Sequence, residues 1–407
     1  MNKPKLPFFY GWVVAASCFI CCFSYGLFYT MGVFFTTLRT EFGWSSALTS
    51  SIHSLHLMVF ILSTFVMGWL GDKYGPRLPI VLGAIFFGVG FSLLSQVNSL
   101  NQFYLFYAIA SLGAGIIFSL PTALVQKWFV KRSGLALGIV VAGVGVGILV
   151  YAPLAGHLIS SYGWRTAYIQ IGAGTAILLL LASMGATTPE KKGIQPYGAK
   201  SLTQQEAERG AVIESSWSLG EALRNKNLWL ICALYFCTVL PIHMIAIHLV
   251  PFAESTGIEK GIASWAWGLV GGLSILGRII TPTLVEGTIG WRKGIIIVTT
   301  ILAASLIWIS ISTSLWMVFV FVVVYGVCYG GKVPLIPALM RSYFGTKSLG
   351  QLVGFVHAVS LVGGAIGPLL AGYIVDVTGN YTIAFLLGAS FWALAAFFAW
   401  LSKVPQR

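Results

Sequence analysis

Long apolar runs divide the sequence, and this repeated pattern constrains the fold more than any other feature. Polar segments separate twelve such runs, which occupy residues 10–35, 46–70, 78–97, 102–126, 134–158, 165–186, 227–252, 262–285, 294–313, 316–340, 348–373 and 380–402. A helix needs about 20 apolar residues to cross the hydrocarbon core of a bilayer. Only helices and closed barrels satisfy their backbone hydrogen bonds there. The sequence therefore predicts an all-α membrane protein with twelve transmembrane helices.

The amount and the distribution of charge agree with a membrane protein. Charged residues make up 9% of the chain, whereas a soluble domain carries about 25%. The net charge of +13 is spread over short segments between the apolar runs, so we expect no nucleic-acid partner. All six cysteines lie within apolar runs and lack the spacing of metal ligands. We expect them to be buried free thiols.

Basic residues outside the spans are distributed unequally between the two sides of the membrane. With a cytoplasmic N-terminus, 19 of the 24 basic residues fall on the cytoplasmic side, and three (Arg39, Arg165 and Lys260) fall on the other side. Short cytoplasmic loops carry an excess of lysine and arginine. The charges therefore predict an N-in, C-in topology and a multi-pass protein of the cell inner (plasma) membrane.

One long hydrophilic stretch separates the first six spans from the last six. Residues 187–226 contain prolines, glycines and mixed charges, which are typical of a linker and leave room for a short surface helix. We therefore predict an N-terminal six-helix bundle (1–186), a cytoplasmic linker (187–226) and a C-terminal six-helix bundle (227–407).

The two predicted bundles share a weak internal repeat. The sequence Leu-Ala-Gly at 154–156 is followed seven residues later by Gly163, and the same three residues at 370–372 are followed seven residues later by Gly379. Two pseudo-symmetric repeats with a binding site at mid-membrane are an architecture of secondary transporters.

Two basic side chains, Arg278 and Lys332, lie deep within spans, and none of the 11 acidic residues does. A cation at the bilayer centre costs at least about 2.5 kcal/mol, so it is expected to face protein or a water-filled cavity. Because no protein carboxylate lies at that depth, an anionic substrate is the natural counter-ion. Arg278 is the first candidate, since a guanidinium binds a carboxylate through two parallel hydrogen bonds.

For both cations there is also an interpretation that involves no substrate. Arg278 is compatible with bonding to backbone carbonyls or with extending toward the cytoplasm. Lys332 precedes Arg341 by nine residues, so its side chain is also compatible with reaching the cytoplasmic surface. Two glycines and two prolines surround Lys332 and predict an irregular helix there: Gly330, Gly331, Pro334 and Pro337.

The stretch GWLGDKYGPR at residues 68–77 resembles the signature loop between helices two and three of the major facilitator superfamily. The resemblance implies a twelve-helix transporter fold. It also implies that Asp72, Lys73 and Arg77 latch the two halves in the outward-facing state; ordinary loop charges are the alternative. The glycine-rich fifth span, from Gly143 to Gly156, is similar to the glycine and proline motif of this superfamily, where small residues allow close helix approach.

A second resemblance is to the monocarboxylate transporters and their bacterial oxalate/formate relatives. WFVKRSGLALG at 128–138, with Ala142 and Gly143 beyond it, is similar to their fifth-helix signature, and Tyr10-Gly11-Trp12 partly matches their first-helix signature. The family binds the substrate carboxylate with an arginine of helix eight. Arg278 occupies the matching place.

The sequence departs from the animal members at the residues of their proton relay. Tyr29 stands where they have a lysine in helix one, and Ser274 stands where they have an aspartate one turn before the arginine. The helix-eleven lysine expected of a dicarboxylate exchanger is also absent, with His357 nearby. The first two departures argue against that proton relay in this chain. The absence of the helix-eleven lysine favours a monoanion, unless Lys332 supplies the second charge.

Proton coupling then requires another group, and histidine titrates in the appropriate range. The candidates are His248 first, because helix seven lines the cavity in this superfamily, followed by His53 and His357. A buried histidine is otherwise a hydrogen-bonded structural group, and the substrate itself is another possible carrier of the proton. Tyr29 and Tyr329 are expected to donate hydroxyls to the substrate, with aromatic packing as the alternative.

Together these features predict secondary active transport of a small monocarboxylate, such as lactate, pyruvate or formate, with a proton and by alternating access. We expect a monomer in the lipid bilayer that needs no cofactor or metal and has no enzymatic activity. Organic anion exchange of the oxalate/formate type is the main alternative. A membrane enzyme or a non-transporting sensor is more remote, since no clustered nucleophile and base or signalling domain is evident.

Overall fold

The computed structural model of the protein describes residues 9–129, 132–198, 217–286, 288–345 and 348–404, except for the side chains of Met67 and Asp72. These residues form fourteen α-helices and one short 3-10 helix, Gly26–Thr30. The α-helices are α1 Gly11–Tyr25, α2 Met31–Phe42, α3 Ser46–Tyr74, α4 Arg77–Leu94, α5 Leu100–Trp128, α6 Ser133–Gly185, α7 Pro189–Lys192, α8 Leu219–Leu223, α9 Lys226–Ser255, α10 Lys260–Val285, α11 Trp291–Ser310, α12 Leu315–Phe344, α13 Leu349–Thr378 and α14 Thr382–Leu401.

Eleven helical segments of the described chain are long and apolar enough to cross a membrane. The longest, α6, has 53 residues and contains Gly163 in a non-helical conformation, with φ 80° and ψ 158°. A straight helix of that length would extend about 80 Å, far more than the roughly 30 Å of hydrocarbon core. The predicted spans 134–158 and 165–186 lie on either side of Gly163. The all-α membrane class is confirmed, while the count of twelve spans and the N-in, C-in orientation stay predictions.

The chain is divided into two compact units. Unit 1 comprises Met1–Leu27, Val59–Gly147 and Arg165–Val212; unit 2 comprises Phe28–Met58, Ile148–Trp164 and Ile213–Arg407. The division into bundles 1–186 and 227–407 remains a prediction. Two short helices, α7 and α8, lie within the predicted linker 187–226, and residues 199–216 of that linker lie outside the described chain.

In unit 1, glycines of α6 bring its backbone against α1. A Cβ atom on Gly143 would lie 2.5 Å from the carbonyl oxygen of Phe19, and one on Gly147 would collide with the carbonyl oxygen of Phe23. The indole N–H of Trp128 donates to the carbonyl oxygen of Thr187 at 2.7 Å. The close approach expected of the glycine-rich motif is therefore present at Gly143 and Gly147.

In unit 2, the helices pack mainly as three pairs: α9 with α13, α10 with α12, and α11 with α14. Between α10 and α12 the backbones nearly touch. A Cβ atom on Gly277 would collide with the carbonyl oxygen of Val327, and one on Gly330 would collide with the carbonyl oxygen of Ser274. This contact lies directly beside Arg278, so the helix carrying the arginine is packed tightly at that level.

The prediction of an irregular helix around Lys332 is wrong. α12 is helical from Leu315 to Phe344 and includes Pro334 and Pro337 within it. Neighbouring helices compensate for the missing backbone hydrogen bonds of such prolines in membrane proteins. As a result, Tyr325, Tyr329 and Lys332 are carried on one continuous helix.

Candidate functional site

Arg278 lies on α10, seven residues before the helix ends at Val285, and its side chain is half-buried. The Tyr329 side chain, on α12, makes hydrogen bonds with the side chains of Arg278 and Tyr29. Three of the four predicted substrate-binding residues are therefore brought together within unit 2. One edge of this arrangement is a guanidinium, and the other edges are phenolic hydroxyls that donate or accept hydrogen bonds.

Aromatic contacts hold the two tyrosines in place. Tyr329 stacks on Tyr325, with ring centroids 6.1 Å apart and an angle of 7° between the rings. Tyr29 stacks on His243 at 5.9 Å and 17°. The indole N–H of Trp267 donates to the carbonyl oxygen of Tyr29 at 2.8 Å, which ties the 3-10 helix to α10. Packing and hydroxyl contacts thus coexist at both tyrosines.

Ser274, the residue in place of the family's aspartate, points its hydroxyl at its own helix. Its Oγ donates to the carbonyl oxygen of Gly271 at 2.6 Å. A serine bonded in this way offers neither a carboxylate for Arg278 nor a titratable group.

Lys332, the fourth predicted substrate-binding residue, is buried in unit 2 with 2% of its surface exposed. Its Nζ lies 3.5 Å from Oγ1 of Thr238 and over the rings of Tyr235 (5.0 Å) and Trp392 (5.8 Å). Its ammonium interacts electrostatically with His243 and His357. Cation–π contacts stabilise a buried ammonium, and none of these described neighbours is a carboxylate. The Lys332 side chain is therefore buried among these residues and does not extend to a surface.

The histidines predicted to carry a proton occupy different surroundings. His53 is buried, and its Nε2 lies 2.9 Å from Nδ1 of His243 on α9. The ring of His56 lies 5.6 Å from that of His53. His357 is half-buried and packs against Tyr235, with ring centroids 5.9 Å apart.

His248, the first candidate from the sequence, is fully buried five residues beyond His243. Its Nε2 lies 3.1 Å from Oγ of Ser50 and 3.0 Å from the carbonyl oxygen of Pro368. Its ring also packs against Phe35 and Tyr381. These contacts tie α9 to α2, α3 and α13. The structure places His53, rather than His248, in the group that extends to Tyr29.

His243 was not among the residues singled out from the sequence, and it lies at the centre of this group. Its partners come from α3, the 3-10 helix, α12 and α13, so no spacing along α9 reveals them. The available signal was weak: His243 and His53 both lie within spans and are two of only six histidines.

The predicted gating residues lie in unit 1, where α3 ends and α4 begins. Lys73 is exposed, with its Nζ over the rings of Trp69 (5.0 Å) and Tyr74 (5.3 Å). Arg77 is exposed at the start of α4, and the side chain of Asp72 lies outside the described part of the chain. The proposed latch therefore stays a prediction.

Comparison with known proteins agrees with a transporter. Residues 17–297 and 287–407 match the sequence model of the Major Facilitator Superfamily. The chain is 29% identical over 389 residues to monocarboxylate transporter 13 of Rattus norvegicus, covering 94% of this chain and 86% of that one. It is 25% identical over 378 residues to the oxalate:formate antiporter of Oxalobacter formigenes, covering 88% and 84%. The solved D-xylose-proton symporter is 13% identical with a TM-score of 0.77, covering 97% and 98% of the two chains, which shows the shared fold.

Proposed function

Because the chain belongs to the major facilitator superfamily and is a membrane transporter rather than an enzyme, we propose that its substrate is a small monocarboxylate such as lactate, pyruvate or formate. We further propose that a proton accompanies the anion, that transport proceeds by alternating access, and that the protein acts as a monomer in the inner (plasma) membrane. The names of the monocarboxylate transporter and oxalate:formate antiporter relatives support this substrate class.

The observation that carries the proposal is the hydrogen-bonded group of Arg278, Tyr329 and Tyr29. A carboxylate presents two oxygens to a guanidinium in a planar, bidentate arrangement. The two phenols add donors for a 2-hydroxy or keto oxygen beside it. Since none of the 11 acidic residues lies deep within a span, the substrate supplies the negative charge that this group lacks.

A co-transported proton follows from the energetics of moving an anion across a charged membrane. One elementary charge crossing 100 mV costs about 2.3 kcal/mol. When an anion enters a negatively charged cytoplasm together with a proton, no net charge crosses the membrane. Symport therefore removes the electrical penalty and lets a pH gradient drive accumulation.

The test compares Arg278 variants in proteoliposomes with labelled lactate, pyruvate and formate, after a thermal-shift screen of C1–C5 acids has identified binders. Arg278→Ala is expected to abolish uptake, and Arg278→Lys to restore little of it, because an ammonium cannot form the two parallel bonds. Arg224→Gln, which changes an exposed arginine, is the matched control and should transport normally. Full uptake by a folded Arg278→Ala protein would overturn the binding role.

Anion exchange of the oxalate/formate type is the second candidate, and buried Lys332 is the observation that favours it. A dicarboxylate would require two cations, and Arg278 and Lys332 are the two that lie within spans. Exchange predicts transport only into vesicles preloaded with anion, whereas symport predicts accumulation into empty vesicles with an alkaline interior. If Lys332 binds a second carboxylate, Lys332→Met should weaken competition by oxalate far more than competition by lactate.

A further inference from the structure

The geometry points to His53 and His243 as the pair that carries the coupled proton, with Tyr29 linking the pair to the anion site. This inference rests on the proposed transport of a carboxylate with a proton. It adds a residue, His243, and a route between two groups of side chains that the proposed substrate site does not by itself connect.

The contact between the two imidazoles provides a place for one additional proton. Nε2 of His53 and Nδ1 of His243 are 2.9 Å apart, so one ring donates a single N–H to the lone pair of the other. Within the described chain, Nδ1 of His53 has no hydrogen-bond partner. When His53 is the donor, this Nδ1 holds a free lone pair.

The loading step is a simple protonation. The lone pair of His53 Nδ1 takes a proton from a hydronium ion, which is left as water, and His53 becomes an imidazolium. The existing Nε2–H then donates to His243 Nδ1 as a charge-assisted hydrogen bond, which is stronger than the neutral one. Loss of the same proton to water on the other side of the membrane restores the neutral pair.

The charges around the pair make this protonation depend on the substrate. Four elements place titratable groups around His243: His53 and His56 from α3, Tyr29 from the 3-10 helix, Lys332 from α12 and His357 from α13. None of these described neighbours is a carboxylate, and Lys332 repels an imidazolium. A negative charge from the substrate is therefore needed to offset the added proton.

Tyr29 connects the proton pair to the place where that negative charge would bind. Its ring stacks on His243 at 5.9 Å, and its side chain hydrogen-bonds with Tyr329, which also bonds Arg278. An anion on Arg278 would bring its negative charge to the far end of this chain of side chains, which runs through Tyr329 and Tyr29 to His243. Binding of the anion and binding of the proton then favour each other, and thermodynamic linkage makes this effect reciprocal.

His248 is the competing carrier, since its Nδ1 also has no hydrogen-bond partner within the described chain. Its Nε2, however, is held by Ser50 and the carbonyl oxygen of Pro368. Its ring contacts in the described structure are with Phe35 and Tyr381. The test therefore includes His248 as an alternative that the result must exclude.

The experiment uses isosteric variants in proteoliposomes. Asparagine places a polar atom near the position of Nδ1, and glutamine does so near Nε2, so His243→Asn and His53→Gln keep polar contacts while removing the titration. We expect pH-gradient-driven accumulation of lactate to fall at least ten-fold in both variants. Counterflow of labelled lactate into vesicles preloaded with lactate should remain measurable. His157→Gln, which changes an exposed histidine, should behave like the wild type.

The outcomes separate this inference from the proposed function. Unchanged accumulation in either His243→Asn or His53→Gln, or a loss confined to His248→Gln, would overturn the assignment of the pair. A wild-type protein that shows neither counterflow nor gradient-driven uptake of any of the three acids would instead overturn the proposed function.

Calorimetry of the wild type gives a readout that needs no variant. Lactate binding in two buffers of different ionisation enthalpy reports the protons taken up with the anion. The inference requires uptake of about one proton per lactate, and no uptake would contradict it even if the histidine variants failed to fold.

Discussion

The carboxylate of Asp376, near the end of α13, accepts a hydrogen bond of 2.7 Å from the backbone N–H of Ser46, the first residue of α3. Its second oxygen accepts a bond of 2.8 Å from the N–H of Ala47. The first N–H groups of a helix have no partner within it, and a negative charge there is favourable. A residue 330 positions away in the chain thus caps α3.

Replacing Asp376 by asparagine is expected to destabilise the protein. Asparagine keeps one acceptor oxygen but removes the charge and one of the two bonds, and loss of such a cap costs about 1 kcal/mol. The melting temperature in detergent measures the effect. Glu259→Gln, which removes an exposed carboxylate without a side-chain cap bond at the start of α10, is the control, and equal melting temperatures of the two variants would contradict the capping role.

The break in α6 depends on a backbone conformation at Gly163 that only glycine adopts readily, with φ 80° and ψ 158°. Within 4 Å nothing would meet a Cβ there, so the cost of Gly163→Ala is that of the backbone alone, about 1–3 kcal/mol. Gly174→Ala, also in α6 and also in open space, should be neutral or slightly stabilising. Thermal unfolding of the two variants tests this difference, and the prediction fails if both behave like the wild type.

The close packing of α10 and α12 predicts that alanine at Gly330 disturbs the arginine site. Its Cβ would collide with backbone atoms of Ser274, and such overpacking costs about 1–3 kcal/mol. Because Ser274 is one turn before Arg278, we expect substrate affinity to fall together with stability. Gly354→Ala, in open space on α13, is the control. Unaltered lactate affinity in Gly330→Ala would show that Arg278 tolerates movement of its helix.

At two stacked tyrosines of α12, the contribution of the hydroxyl to substrate binding can be tested separately from that of the ring. Tyr329→Phe removes hydrogen bonds to Arg278 and Tyr29, whereas the Tyr325 hydroxyl has no partner in the described chain. A hydrogen bond to a charged group is worth about 1.5–3 kcal/mol, so lactate affinity should fall about ten-fold or more in Tyr329→Phe. Tyr325→Phe should keep its affinity. Equal affinities measured by calorimetry would assign Tyr329 to aromatic packing instead.

Much of the candidate site follows from the sequence, because burial in lipid makes charge unusually informative. Arg278 was identified by its depth in an apolar run without a carboxylate at that level, and the cost of an isolated cation in hydrocarbon is a local property. Tyr29 and Tyr329 followed from similar depth. Each required the position of a residue along its own helix together with the resemblance to the transporter family.

Which side chains meet across helices was decided by tertiary structure. The pairing of His53 with His243, the aromatic surroundings of Lys332 and the cap of α3 by Asp376 join residues that are 60 to 330 positions apart. Such contacts depend on the rotation of each helix about its axis and on its partners, which hydropathy does not determine.

The sequence by itself thus determined that the chain is helical, lies in a membrane and carries an arginine within a span, because apolar length and charge act residue by residue. The tertiary structure alone decided that His243, rather than His248, lies against Tyr29. The two histidines are five residues apart, which turns them about 140° from each other around α9, and only the packing of α9 against the surrounding helices decides which neighbours each one faces.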